Sequence, residues 1–164
     1  MVIDLYVDGS YSKSKPNETA GAAIVVYDGK VVLSQRYTTT KPDYTKMNNV
    51  GGELIAAAQG MTLVVAFMNL VKAGNVPFVL NVYHDYKGIY EFAKKLNPWQ
   101  AKSPGAQKYV SMVRALERNY PDMKINFIKV KSHTGNKWNE VVDRVAAGYK
   151  PAECEGTYVP EMVI

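Results

Sequence analysis

The sequence predicts an α/β domain built on a five-stranded mixed sheet, three antiparallel strands and then two parallel ones, with helices on both faces. Three observations lead there. Residues 2–10, 20–27 and 31–39 are strand-like runs joined by short polar connections, the pattern of an antiparallel meander. From Gly51 onward helical and strand-like periods alternate, and parallel strands are what such crossovers join. The run 76–83 is mostly apolar, as a strand is when its sheet is covered on both sides.

Each element has its own signal. In the first strand Ile3, Leu5 and Val7 alternate with Asp4, Tyr6 and Asp8, so one face is apolar and Asp8 lies on the other, followed by Gly9 and Ser10. Such a glycine lets backbone or ligand come close. A polar link, 11–19, leads into the second strand, and Asp28-Gly29 is a two-residue hairpin turn into the third. After a polar segment, 40–49, Gly51-Gly52-Glu53 opens a helix carrying Leu54, Ala57, Ala58, Met61, Val65, Met68 and Leu70 and ending near Gly74. It is apolar on more than one side, which predicts a central helix against the sheet. The fourth strand ends at His84-Asp85. A short helix, 86–96, is broken at Asn97-Pro98, and Ser103-Pro104 starts another through Tyr109, Val110, Val113 and Leu116. Residues 123–130 form the fifth strand, 131–137 a polar loop, and 138–149 a last helix with Val141, Val142, Val145 and Ala146 inward.

The chain divides into a domain of residues 1–150 and a tail of 151–164, which has two prolines, three acids and no period. At 164 residues and 47% hydrophobic content one core suffices. The net charge is +5, and because Glu153, Glu155 and Glu161 are the only charges beyond Lys150, residues 1–150 carry +8. That balance favours a polyanionic partner. Cys154 is the single cysteine and excludes an internal disulfide. No signal peptide and no apolar run of membrane-spanning length are expected, and the expected compartment is a reducing cytoplasm.

Four acids stand out: Asp8 and Asp85 at strand ends, Glu53 in the first turn of the long helix, and Asp143 on the last helix. Each has an ordinary explanation: a turn former for Asp8 and Asp85, a dipole complement for Glu53, a solvated charge beside Arg144 for Asp143. Together in a crevice beyond the carboxyl ends of parallel strands they would repel one another unless cations lay among them. Their convergence therefore implies metal, and oxygen ligands without cysteine suit magnesium or manganese better than zinc.

The pieces YVDGSYS (6–12), GGELIAA (51–57), YHDYKGI (83–89) and KSHTGNKWNEVVDRVAAG (131–148) resemble, in this order and spacing, ribonuclease H of the type 1 class. The last is the most specific: His133, Gly135, Asn139, Glu140 and Asp143 repeat the family pattern His-x-Gly-x-x-x-Asn-Glu-x-x-Asp. The resemblance implies a ribonuclease H-like fold and hydrolysis of the RNA strand of RNA–DNA hybrids with two magnesium ions, manganese substituting. It implies that Asp8, Glu53, Asp85 and Asp143 are catalytic metal ligands and that His133 is a mobile-loop proton carrier. Ser10 and one of Asn48 and Asn49 are expected near the hybrid. Two departures appear: an extra residue between the Asn pair and Glu53, and Tyr86 where many members carry Ser, expected to stack or pack. The stretch 94–108 offers only Lys94, Lys95, Lys102 and Lys108 with Trp99, which resembles handle-less bacterial or virus-encoded members. A monomer is expected. Two other readings share these features. One is a catalytically silent nucleic-acid-binding module, whose mark would be loss of an acid. The other is a related metal-dependent nuclease with a different substrate, whose mark would be loss of the His133–Asp143 pattern.

Overall fold

A computed structural model describes residues 1–73, 76–94, 103–131 and 135–164. Its strands are β1 (Val2–Ser10), β2 (Thr19–Tyr27), β3 (Lys30–Thr39), β4 (Val79–His84), β5 (Lys124–Lys129) and β6 (Met162–Val163). Its helices are α1 (Pro42–Thr45), α2 (Asn49–Leu70), α3 (Gly88–Ala93), α4 (Pro104–Asn119) and α5 (Lys137–Ala146), with a 3₁₀ turn at Ala152–Cys154. The sheet order is β5-β4-β1-β2-β3-β6. β1, β2 and β3 pair antiparallel, and β4 and β5 run parallel to β1, as the sequence predicts. Asp28 (φ 53°) and Gly29 (φ 74°) both adopt the left-handed conformation of a tight hairpin.

The strand count needs correcting from five to six among the described residues. β6 is two residues long and pairs parallel with β3, Tyr37 opposite Met162 and Thr38 opposite Val163. So short an element, followed only by Ile164, has no period to read. The segment before it is also tied down. Ser34 N–H donates to the Thr157 carbonyl at 2.9 Å, Val159 N–H donates to the Ser34 carbonyl at 2.8 Å, and Arg36 pairs with Glu161 at 2.9 Å. The tail is thus a strap along β3.

One face of the sheet buries Ile3, Leu5 and Val7 under α2, which α3 and α4 flank, through residues such as Leu54, Met61, Ile89 and Val113. The other buries Tyr6, Ala22, Ile24 and Val26 under Val141, Val142, Val145 and Ala146 of α5. α2 differs from expectation in two ways. It begins at Asn49 and not at the glycines, which puts Glu53 in its second turn. It is also long and apolar enough to cross a membrane by length and composition, although here it is a mostly buried core helix. The short α1, with Pro42 in its first turn, occupies the stretch predicted as a polar connection. Ser103 caps α4 as predicted, its Oγ accepting from Ala106 N–H at 3.2 Å.

Candidate active site

Register brings the first two acids together. In the parallel pairing of β1 and β4, Asp4 stands opposite Asn81 and Tyr6 opposite Tyr83. The Asn81 amide donates to Asp4 at 3.0 Å, and Asn126 of β5 donates to Asn81 Oδ1 at 2.9 Å. One step along, the Tyr6 and Tyr83 rings stack with centroids 4.3 Å apart. The same two-residue alternation then delivers Asp8 and Asp85 where both strands end.

Glu53 arrives from the other side of the sheet because the first turns of α2 lie directly against strand backbone. A Cβ on Gly9 would sit 1.9 Å from the Asn49 carbonyl oxygen, and one on Gly52 would sit 1.8 Å from that of Ala20. No side chain fits at either place. The glycine read from the sequence as allowing close approach does so, and helix backbone is what approaches. Glu53 is only 3% exposed. Its Oε1 accepts from Asp85 N–H at 2.8 Å and its Oε2 from Tyr86 N–H at 3.2 Å. It therefore holds the turn after β4 by its backbone. Asp143 reaches the group from α5, whose N-terminus is capped by Asn136 accepting from Asn139 N–H at 3.0 Å.

Asp8, Asn49, Asp85 and Asp143 line a cleft of about 210 Å³ together with Gly9, Asn139 and Glu140. Asn139 and Glu140 were not among the predicted site residues, although the Asn-Glu pair of the motif was the signal for them. Asn49 faces the cleft. Asn48, exposed and at φ 55°, does not line it; its carbonyl accepts from Thr19 Oγ1 at 2.7 Å. Ser10, half-buried, ends β1 opposite Ala20 and lies outside the cleft lining. His133 and Trp99 lie outside the described residues. Tyr86 packs: its ring lies against the Cα of Gly88, where a Cβ would be 2.2 Å from it, and meets Phe92 edge-on at 6.2 Å.

The electrostatics are those of buried acids close to one another. Burial, a hydrogen bond with the Asp143 carboxyl and repulsion from Glu53 push Asp8 up to about 8, while the Gly9 N–H opposes the shift. Burial pushes Glu53 up to about 7 against the two backbone N–H groups, with the Asp85 charge adding to the rise. Among the described residues no three acids are drawn to the spacing that would by itself hold an ion. The donor chemistry nonetheless fits a hard divalent cation, since only oxygens converge and their repulsion is what a cation relieves.

These shifts set a sign. A carboxyl that binds its proton more tightly folded than unfolded stabilises below its unfolded value near 4, and that contribution is lost as pH rises through its folded value. Metal-free protein should therefore lose stability between pH 5 and 8 more steeply than an Asp8→Asn variant, by roughly 5 °C in thermal midpoint. His84, lowered by burial, works in the opposite direction in both proteins and cancels in the difference. Magnesium should recover the loss at pH 8 in the wild type. Parallel pH profiles for the two proteins would show that Asp8 is not crowded.

The family model for RNase H matches residues 2–149. A protein named ribonuclease H from Caldanaerobacter subterraneus subsp. tengcongensis is 26% identical over 147 residues, 88% of each chain. The fold superposes on RNase H1 of the halophilic archaeon Halobacterium salinarum with a TM-score of 0.62 at 18% identity, over 90% of this chain and 96% of that one. It also superposes on an N-terminal RNase H domain from Mycobacterium tuberculosis, solved as a fusion with maltose-binding protein, with a TM-score of 0.60 at 20% identity, over 89% and 91%. With a matched span that runs from the first strand to the end of the last long helix, the chain belongs to the RNase H family.

Proposed function

We propose that this protein is an endoribonuclease that hydrolyses the RNA strand of RNA–DNA hybrids, leaving 5′-phosphate and 3′-hydroxyl ends. The observation that carries the reading is that Asp8, Asp85 and Asp143 line one cleft while Glu53, buried, binds the turn that bears Asp85, with burial and neighbouring acids raising Asp8 and Glu53 toward neutrality. Two magnesium ions, or manganese in their place, held by these four carboxylates would supply an acidified attacking water and charge to stabilise the leaving 3′ oxygen.

The chain's own part is to place oxygens. Asp8 is fixed by its strand and by Gly9 N–H, which donates to its Oδ1 at 2.9 Å. Glu53 is fixed by the two backbone N–H groups of the β4 turn. Asn49, on the cleft wall, is the better placed of the asparagine pair to meet a 2′-hydroxyl across a shallow minor groove, and Ser10 is proposed to assist. His133 is proposed to carry a proton to the departing oxygen and to assist product release, tasks suited to the reversible protonation of an imidazole. Residues 1–150 form the catalytic unit, with 151–164 added to it. A monomer acting in a reducing cytoplasm agrees with the single cysteine, Cys154, which is buried.

The test is to incubate labelled hybrid, double-stranded RNA and double-stranded DNA side by side, with and without magnesium. Cleavage of the RNA in the hybrid alone, and only with the metal, is the expected result. Cleavage of either duplex at a comparable rate, or unchanged cleavage in chelator, would overturn the proposal.

A further inference from the structure

His84 is the last residue of β4, next to Asp85, and its side chain points away from the acidic cleft into the core. It is fully buried. Its Nδ1 lies 2.9 Å from the Tyr86 carbonyl oxygen, and because a carbonyl only accepts, Nδ1 carries the proton. Its Nε2 is buried with no hydrogen-bond partner among the described residues, and its ring meets Phe127 edge-on at 6.5 Å. A buried polar nitrogen left unpaired costs stability, so packing alone would favour a leucine here. The Tyr86 carbonyl does not need the imidazole either, since it already accepts from Ile89 N–H at 3.1 Å.

What the Nδ1 bond does is close the turn 84–86 from beneath. Glu53 takes the N–H groups of Asp85 and Tyr86 from one side, and His84 takes the Tyr86 carbonyl from the other. Glu53 thereby holds the two peptide units that flank Asp85 by their N–H groups, and His84 holds the next unit, between residues 86 and 87, by its carbonyl. We infer that His84 is a positioning residue: its buried Nδ1–H holds the turn that sets Asp85 and receives Glu53, at a cost to stability that the core alone would not retain. The inference rests on reading Asp85 and Glu53 as site acids.

Two variants separate this role from simple packing. His84→Leu keeps bulk and loses the donor, while His84→Asn places an amide nitrogen the same number of bonds from the backbone as Nδ1 but leaves a void. Amide hydrogen exchange at Asp85 and Tyr86, read in metal-free protein, reports the turn without reference to catalysis. In His84→Leu these two amides should exchange at least about tenfold faster while the thermal midpoint stays level or rises. Hybrid cleavage should fall roughly tenfold to a hundredfold in kcat with KM unchanged. His84→Asn should be the less stable protein and yet recover both the slow exchange and the turnover. The inference is overturned by a leucine variant whose exchange and kcat stay within twofold of wild type. It is equally overturned by variants in which turnover simply follows stability, the asparagine variant faring worse. If wild-type protein does not cleave hybrid at all, the proposed activity fails, and the exchange measurement alone still decides the role of His84.

Discussion

Asp8→Asn protein should fold, bind RNA–DNA hybrid in calcium, and cleave it at about a thousandth of the wild-type rate or less. The substitution keeps the shape and the oxygen that accepts from Gly9 N–H. It removes the ability to carry negative charge from a buried position beside Asp143 and Glu53. Asp8 is carried by β1, which pairs antiparallel with β2 on one side and parallel with β4 on the other. The same change relieves repulsion in metal-free protein, and the thermal midpoint at pH 8 should rise as activity disappears. Single-turnover cleavage of labelled hybrid is the measurement, and turnover within tenfold of wild type would remove Asp8 from the metal site.

The largest expected loss of stability comes from one methyl group. Gly→Ala inside a helix ordinarily stabilises by about 1 kcal/mol. At Gly52 the sign should reverse, because the new Cβ would lie 1.8 Å from the Ala20 carbonyl oxygen and 2.7 Å from its carbon, both backbone atoms of a central strand. Either α2 lifts or β2 bends. A loss of about 3 kcal/mol or more is expected, a large share of the roughly 5–15 kcal/mol that holds a domain together. Lifting the helix also withdraws Glu53 from Asp85 N–H and Tyr86 N–H, so activity should fall beyond what the folded fraction explains. Urea unfolding settles it, and a change below about 1 kcal/mol would mean that helix and sheet are less tightly apposed than the structure has them.

Much of this arrangement was legible in the chain. The alternation Ile3-Leu5-Val7 against Asp4-Tyr6-Asp8 assigned both faces of β1, Asp28-Gly29 marked the hairpin, and the period of Val141, Val142, Val145 and Ala146 placed Asp143 on a helix. The unread parts have physical reasons. Gly51 and Gly52 look like a helix start because glycine is a poor helix former, yet they lie inside α2 where only a hydrogen atom fits against the sheet. Tyr86 could stack or pack on sequence grounds, because the room for its ring is left by Gly88, which no period marks. That Glu53 binds backbone amides depends on a turn 32 residues away, a partner that no local pattern names. β6 and the strap before it follow no period because their order comes from β3.

That strap bears on how the protein behaves in company. β3 is a ten-residue strand, and without residues 157–164 its outer edge would present a row of unsatisfied amides and carbonyls, the kind of template that recruits strands from other molecules into aggregates. Ser34, Tyr37 and Thr38 are covered instead by the chain's own Thr157, Val159, Met162 and Ile164, with Glu161 adding a negative charge at the rim. The covering residues lie beyond position 149, where the family match stops. A segment outside the matched span thus shields β3 from Ser34 to Thr38, the stretch that lies level with Tyr6–Ser10 of β1 across the sheet, and its removal would leave that edge open to pairing with another molecule.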